Sequence, residues 1–129
     1  MDQPDLRPAV QRLVDRLEIE ALLTRYAKAV DRRDWELYRT VFTDDAHIDY
    51  SSAGGAVSGP AEMTGWLEAA LAQFPATQHL VSNIDIEFGD DGDTATVEAM
   101  FHNPMVMPDK SSWVTGGWYH HDLIRTSEG

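Results

Sequence analysis

Apolar residues recur at helical spacing through the first part of the chain, in two separate stripes. The later stripe has the spacing of an amphipathic helix and contains Ile19, Leu22, Leu23, Tyr26 and Val30. The earlier stripe contains Val10, Leu13, Val14 and Leu17. At about 100° per residue, it points roughly half a turn away from the later stripe. The pattern predicts either a break near residues 15–18 or a first helical part that contacts something other than the core.

Two further helices are predicted from the residues at which they begin. Asp34 is a typical N-cap for a short second helix. Its apolar residues are Trp35, Leu37, Tyr38 and Val41. Pro60 followed by Glu62 has the order of a helix start, with proline at the first position and an acid in the first turn. This third helix is expected to end before Pro75.

The remaining pattern has a period of two and predicts strands. Ala46, Ile48 and Tyr50 alternate with polar residues in a first strand. Three longer strands are expected at 78–88, 94–103 and 112–126, the first two joined by a turn at 89–93. The segment 104–110 is the longest loop and is expected to form a mobile flap. Helices followed by a strand, a helix and a meander of strands indicate an α+β fold.

Length and composition place this pattern in a single domain, residues 1–129. The chain has 129 residues, 43% of them hydrophobic, which is enough to fill one core. Its net charge of -12 argues against nucleic acid and against an anionic membrane surface as partners. The lack of cysteine excludes disulfides and thiolate chemistry. Because no apolar run has the length of a secretion signal or a membrane span, we expect a cytoplasmic protein.

The histidines near both ends of the sheet region raise the question of a metal site. His120 and His121 are adjacent in a strand, so their side chains point to opposite faces and cannot hold one ion together. His47 and Asp49 share a face and have the spacing of an iron site, but that face reads as the solvent side. The chain also lacks a glycine-rich phosphate loop and a nucleophile elbow. We therefore predict no metal and no cofactor.

Two stretches carry a resemblance to a known family. The first is the helix end Tyr26-Ala-Lys-Ala-Val-Asp31-Arg-Arg-Asp34-Trp35, and the second is the strand that His79 opens, residues 78–86. With the order of elements around them, they resemble the SnoaL-like branch of the superfamily named after nuclear transport factor two. The resemblance covers nearly the whole chain and implies a cone-shaped α+β barrel, with a strongly curved, mostly antiparallel sheet closed by three helices. It also implies a further final strand after the turn that residues 125–129 begin, so we expect either that this sequence is a fragment or that the strand is absent and one sheet edge is unpaired.

The resemblance implies a catalytic pair of Asp31 and His79 inside a deep pocket. A neutral imidazole is a good general base near neutral pH, and a carboxylate beside it fixes its tautomer and stabilises the imidazolium. On spacing alone the pair has a structural alternative, because an Asp at a helix end is often a solvated cap and a His on a strand is often part of a core. Under the catalytic interpretation, we expect the two side chains to lie within about 2.6–3.2 Å, directly or through one water.

Further site residues follow from the same resemblance. Tyr50 is expected to donate a hydrogen bond to a substrate carbonyl, and His102 to be a second pocket histidine. Asn83 shares the His79 face if the strand alternates regularly. The other residues expected to bind the substrate are Tyr26, Met63, Trp66, Phe74, Met105, Met107 and Tyr119.

The implied function is that of a metal-free lyase or isomerase of the dehydratase type. Its substrate would be a small, mostly apolar, carbonyl-bearing molecule such as a polyketide or a steroid-like ring. The alternative is a non-catalytic member of the superfamily that binds a ligand or scaffolds a complex, as the small subunits of ring-hydroxylating dioxygenases do. Large apolar groups on both faces of the last strand predict a homo-oligomer, a dimer or alternatively a trimer.

Overall fold

The computed structural model describes residues 3–129 as an α+β structure. Its helices are α1 (Arg7–Asp31), α2 (Trp35–Arg39) and α3 (Pro60–Leu71). Its strands are β1 (Ile48–Asp49), β2 (Val57–Ser58), β3 (Ala76–Thr77), β4 (Leu80–Phe88), β5 (Thr94–Val106) and β6 (Ser112–Ile124). The predicted fold class is confirmed, as three helices pack on antiparallel sheet in the cone arrangement.

Helix α1 runs unbroken through the region where the two apolar stripes change direction. The earlier stripe is exposed, with Leu13 at 62% and Leu17 at 66% of their full accessible area. The predicted break is therefore wrong, and the first half of α1 does not face the core; what else its apolar stripe contacts stays a prediction. This half is tied to the fold by Asp15, whose buried carboxylate pairs with Arg125 at 2.9 Å.

Helices α2 and α3 begin where the sequence predicts. The Asp34 carboxylate accepts a hydrogen bond from the backbone N–H of Leu37 at 3.0 Å, as expected of an N-cap. Helix α3 begins at Pro60, the expected first position. With the second half of α1 they enclose a core of Tyr26, Ala29, Val30, Tyr38, Ile48, Met63 and Leu67. Within residues 3–129, no helix combines the length and apolar character needed to cross a membrane.

Strand β5 is the centre of the main sheet. One of its edges pairs with β6 over all thirteen residues, and its other edge pairs with β4 and then β3. The predicted flap is wrong in its first half, because residues 104–106 continue β5 opposite 112–114 and only the turn 107–111 remains a loop. The first predicted strand is reduced to Ile48–Asp49, which pairs with β2 in a separate small hairpin.

The main sheet has an inner face against the helices and an outer face in solvent. Val97 and Ala99 point inward and are fully buried, whereas their neighbours Glu98 and Thr96 are exposed. The alternation is interrupted in β4, where the register shifts by one residue between Ser82 and Asp85. Asn83 is the extra residue of this bulge, with a left-handed φ of 52°.

The outer face carries an exposed apolar row that we expect to form a homo-oligomer interface. Leu80, Val114 and Trp118 are each at least half exposed, and Met100 lies opposite Trp118 in the register. Trp118→Glu should place a charge in the middle of this row and yield monomers. The parent protein should scatter light as a dimer burying roughly 1,200 Å² or more in total. A parent that is already monomeric at micromolar concentration refutes the interface.

The inner face contains His121, a titratable group whose Nε2 is buried without a hydrogen-bond partner within residues 3–129. Burial, and to a lesser degree the neighbouring charge of His120, lowers the pKa of His121. The unfolded chain therefore takes up a proton that the folded chain refuses, so the contribution of His121 to stability is present above pH 6.5 and is lost as the pH falls below it.

His121→Phe should flatten the pH dependence of stability between about pH 7.5 and pH 5.5, because phenylalanine keeps the packing and has no proton to bind. Urea unfolding at several pH values measures this directly. His120→Gln is the matched control, since His120 is exposed on the opposite face. An unchanged pH slope in the His121→Phe protein would show that another group causes the dependence.

Candidate active site

The site lies where the strands paired with β5 are interrupted, between the end of β3 at Thr77 and the start of β4 at Leu80. Thr77 pairs with Met105 and Leu80 with His102 in one continuous register, which places His79 opposite Asn103. The N–H of Gln78 donates to the carbonyl of Pro104 at 3.1 Å, but proline has no N–H to return. Because successive N–H groups of a strand point to opposite sides, the N–H of His79 points away from β5.

The carboxylate of Asp31, the last residue of α1, fills this position at the strand edge. Its Oδ2 accepts the backbone N–H of His79 at 2.7 Å, and its Oδ1 lies 2.6 Å from Nδ1 of the His79 ring. The hydroxyl of Thr77 also donates to Oδ1, at 2.9 Å. The expected hydrogen-bond contact between Asp31 and His79 is present, reinforced by a backbone bond that the sequence did not indicate.

The contact decides which nitrogen of His79 is available. A carboxylate oxygen at 2.6 Å accepts a hydrogen bond from Nδ1–H, so the neutral ring carries its proton on Nδ1. Nε2 has no hydrogen-bond partner among residues 3–129. The His79 side chain is 11% exposed and that of Asp31 is 20% exposed, so both groups are shielded but reachable. This arrangement can accept a proton at Nε2 and stabilise the resulting imidazolium through Asp31.

A second polar group consists of three tyrosines joined through Tyr50. The Tyr50 hydroxyl lies 2.7 Å from that of Tyr26 and 3.0 Å from that of Tyr38. Burial raises the pKa of Tyr50, and its hydrogen bonds with the other two phenols act in the opposite direction. Burial is also the main reason that the pKa values of Tyr26 and Tyr38 are raised. All three phenols are therefore protonated at neutral pH.

Tyr119 connects the tyrosines with the Asp31 side of the interior. Its ring meets that of Tyr26 edge-on at 5.6 Å and stacks on Phe101 at 4.4 Å between ring centroids. Burial is the main reason that the pKa of Tyr119 is raised; electrostatic interactions with Tyr50 and with the Asp31 carboxylate act in the same direction, and a hydrogen bond with Tyr26 acts in the opposite one. Tyr119 thus lies within electrostatic reach of both polar groups, on the same inner face of the sheet.

Two residues that were predicted to lie in the pocket are exposed instead, so their prediction is wrong. His102 is exposed on the outer face, because its neighbour Phe101 occupies the inner one. The residue that lies inside, next in the chain, is Asn103, which is only 4% exposed. Asn83 is exposed as well, because the bulge inserts it between two inward positions and ends the alternation that began at His79.

The apolar residues predicted to bind the substrate lie in three different environments. Met63 is fully buried in the helical core, whereas Trp66 is 39% exposed on α3. Phe74, Met105 and Met107 are half-buried. Among these, Met105 lies nearest the pair in the register, opposite Thr77. The structure therefore brings Met105 to the site and leaves Met63 in the core.

Three residues of the site were not singled out in the sequence. The Thr77 hydroxyl binds Asp31, and Arg33 binds Thr77 at 2.8 Å. Asn103 accepts the N–H of Gln78 through Oδ1 at 3.0 Å, and its register position is opposite His79. In the sequence, the one indication of Asn103 is its polar side chain at the strand position opposite His79. The Arg33–Thr77 contact spans 44 residues of sequence and left no local pattern.

The histidine and acidic side chains that suggested a metal site lie apart from one another. No group of three or more His, Asp or Glu side chains in residues 3–129 is arranged to hold an ion. Asp49 instead accepts the backbone N–H of Ser51 at 2.8 Å, beside an exposed His47. His120 faces outward, 3.3 Å from Glu98, and His121 faces inward, so the predicted separation of these two residues is confirmed.

Comparison with known proteins adds both a family and structural neighbours. Residues 11–129 match the family described as SnoaL-like domain. The uncharacterized protein Rv2910c of Mycobacterium tuberculosis is 37% identical, over 94% of this chain and 82% of that protein. A proposed aromatic ring hydroxylase from Novosphingobium aromaticivorans is 30% identical with a TM-score of 0.82, over 91% of this chain and 82% of the other.

A proposed scytalone dehydratase from the same species also has a TM-score of 0.82, at 22% identity over 92% of this chain and 79% of that one, a likeness that concerns the fold alone. The family match spans almost the whole chain, and the order of helices and antiparallel strands agrees with it. The protein is a member of the SnoaL-like domain family, with the cone-shaped fold of the nuclear transport factor two-like proteins.

Proposed function

We propose that the protein is a lyase or isomerase of the dehydratase type that works by acid–base chemistry without a metal. The observation that carries this proposal is the Asp31–His79 contact at 2.6 Å, which leaves Nε2 of the imidazole free beside a half-buried interior. A general base needs this combination of a fixed tautomer, an oriented ring and a free lone pair. A proposed scytalone dehydratase has the same fold, so the fold is compatible with this reaction class.

The reaction would proceed in two balanced steps. Nε2 of His79 takes the proton from the carbon next to a carbonyl, and the electron pair moves onto the carbonyl oxygen to form an enolate. The enolate then reforms the carbonyl, a carbon–carbon double bond appears, and the β-hydroxyl leaves as water after taking the proton from the imidazolium. Return of that proton to a different carbon of a conjugated enolate would give an isomerase instead. Asp31 stabilises the imidazolium between the steps.

Tyr50 is the proposed donor to the carbonyl oxygen. When Tyr26 and Tyr38 donate to its oxygen, at 2.7 and 3.0 Å, the proton of Tyr50 has no acceptor among them and is free for the substrate. Two donors on one phenol oxygen also make that phenol a stronger acid than it would be alone. Asn103 is a second proposed donor, through its NH2 group, because its Oδ1 already accepts the N–H of Gln78.

The substrate is proposed to be small, neutral and mostly apolar. The interior next to the pair is lined by aromatic rings, among them Tyr119 and Phe101. A net charge of -12, together with the Asp31 carboxylate at the site, disfavours an anionic substrate. A ring of polyketide or steroid-like character, carrying a carbonyl and a hydroxyl two carbons apart, fits these conditions.

The second candidate is a non-catalytic binding or scaffolding role. Some proteins of this superfamily are non-catalytic subunits, and the Asp31–His79 contact would then serve to join α1 to the sheet edge. The two candidates differ in what mutation of the pair does. A joining role predicts loss of stability, whereas a catalytic role predicts loss of turnover.

His79→Ala should lower turnover by about two to four orders of magnitude on a substrate found by screening β-hydroxy carbonyl compounds. Asp31→Asn should lower it strongly as well, because an amide cannot stabilise the imidazolium and favours the wrong tautomer. Steady-state kinetics measure turnover and thermal melts report folding. Full activity of both variants contradicts the mechanism, and loss of activity in EDTA contradicts metal independence.

Tyr50→Phe should lower kcat about a hundredfold, the usual effect of removing one donor to an oxyanion. Tyr38→Phe is the matched control, because it removes a phenol that touches Tyr50 and leaves the proposed donor in place. Its loss should be about tenfold or less. Equal losses in the two variants would mean that the tyrosines support the fold and that Tyr50 does not contact the substrate.

A further inference from the structure

We propose that Arg33 is a positioning residue for the Asp31–His79 pair and acts on it through the hydroxyl of Thr77. Arg33 is two residues beyond Asp31 and does not itself touch His79. Its effect would be to hold the Asp31 carboxylate in the one orientation that leaves Nε2 of His79 free. The catalytic consequence of this inference rests on the proposed function, but the positioning itself does not.

The first step is the unusual place of Arg33 in the chain. It follows the end of α1 with a left-handed φ of 57°, a conformation that glycine and asparagine adopt more readily than arginine. This conformation turns the side chain back across the end of the helix. One guanidinium nitrogen, Nη1, donates to the carbonyl of Val30 and to the Thr77 hydroxyl, each at 2.8 Å. The other, Nη2, donates to the carbonyl of Phe74 at 3.2 Å.

The second step concerns the single proton of the Thr77 hydroxyl. A hydroxyl rotates to suit its neighbours and can either donate to Asp31 or point elsewhere. Arg33 has only donors, so it occupies the lone pairs of the Thr77 oxygen and excludes its proton from that side. The proton is then directed to Oδ1 of Asp31, which lies 2.9 Å away.

The third step follows from the number of donors on the carboxylate. Oδ1 receives the Thr77 hydroxyl and Nδ1 of His79, and Oδ2 receives the backbone N–H of His79. Three fixed donors leave the carboxylate no freedom to rotate. The proton of the His79 ring is therefore held at Nδ1, because Asp31, the acceptor of that ring among residues 3–129, is held on that side.

A capping role alone does not account for this arrangement. Carbonyls at the end of a helix are satisfied by glycine in the left-handed position, without any side chain. The bond to Thr77 contributes nothing to the cap, yet it is one of the two shortest that Arg33 makes. It joins the guanidinium to the one hydroxyl that touches Asp31.

Nuclear magnetic resonance of histidine labelled with nitrogen-15 tests the proposal without any substrate. In the parent, the Nδ1 proton of His79 should resonate far downfield, and the ring nitrogens should report a single tautomer. In Thr77→Val and in Arg33→Met, that proton should exchange with solvent about tenfold faster, as loss of one hydrogen bond to a charged group implies. The ring nitrogens of both variants should report a mixture of tautomers.

Conservative and control variants separate positioning from general damage. Thr77→Ser keeps the hydroxyl and should restore the spectrum of the parent, even if it is less stable. Arg125→Met removes an arginine that binds Asp15 and Asp93 with comparable bonds far from the site, so it should lower the melting temperature and leave the His79 signals unchanged. Parent-like signals in both Thr77→Val and Arg33→Met overturn the proposal, and so does a change of equal size in Arg125→Met.

Should Thr77→Val or Arg33→Met fail to fold, Arg33→Lys provides the same comparison. Lysine keeps the charge but has one nitrogen, which cannot reach Thr77 and the carbonyls together, so faster exchange is again expected and an unchanged spectrum again overturns the proposal. With an identified substrate, the variants should lower kcat and leave KM nearly unchanged. Altered spectra with full turnover would refute the proposed function and leave the positioning role intact.

Discussion

The rest of the site depends on one constraint, the backbone N–H of His79 that the sheet does not satisfy. A buried N–H without a partner is costly, and here the carboxylate at the end of α1 is the acceptor. The same bond fixes where α1 ends relative to the strand edge. Deleting one residue within α1 would rotate the Asp31 side chain by about 100° around the helix axis, away from His79. The contacts of Asp31 therefore link three features to one another: the register of the sheet, the length of α1 and the orientation of the His79 ring.

The order of elements and the Asp31–His79 contact could be predicted from the sequence, and the choice of face could not. His102 and Asn103 are neighbours, so an error of one position in the phase of β5 exchanges a solvent residue for an interior one. The prediction that Asn83 faces the interior is wrong for a related reason, because the bulge cannot be recognised from the alternation of polar and apolar residues. Local periodicity is blind to both effects because they depend on how the strand is paired.

The sequence predicts a loop at 104–106 because these residues lie in a segment with prolines at 104 and 108. Proline is accommodated there because its missing N–H would face Gln78, while the edge of β5 that pairs with β6 keeps its bonds. Arg33 and Thr77 escaped notice for another reason, since neither residue type nor spacing links positions 44 apart. Such contacts arise only when the end of a helix, the end of another and a strand edge meet.

The bulge at Asn83 has a consequence for how this strand can change. The bulge changes which alternate residues face the interior. Before it, the inward-facing set includes His79; after it, the set includes Ile86, which packs with Leu23 and Val97. The register of one half of β4 against β5 can therefore change without a change in the other half. A single-residue insertion or deletion near residue 83 can be absorbed by the bulge, whereas the same change anywhere else in β4 would turn half of the strand inside out.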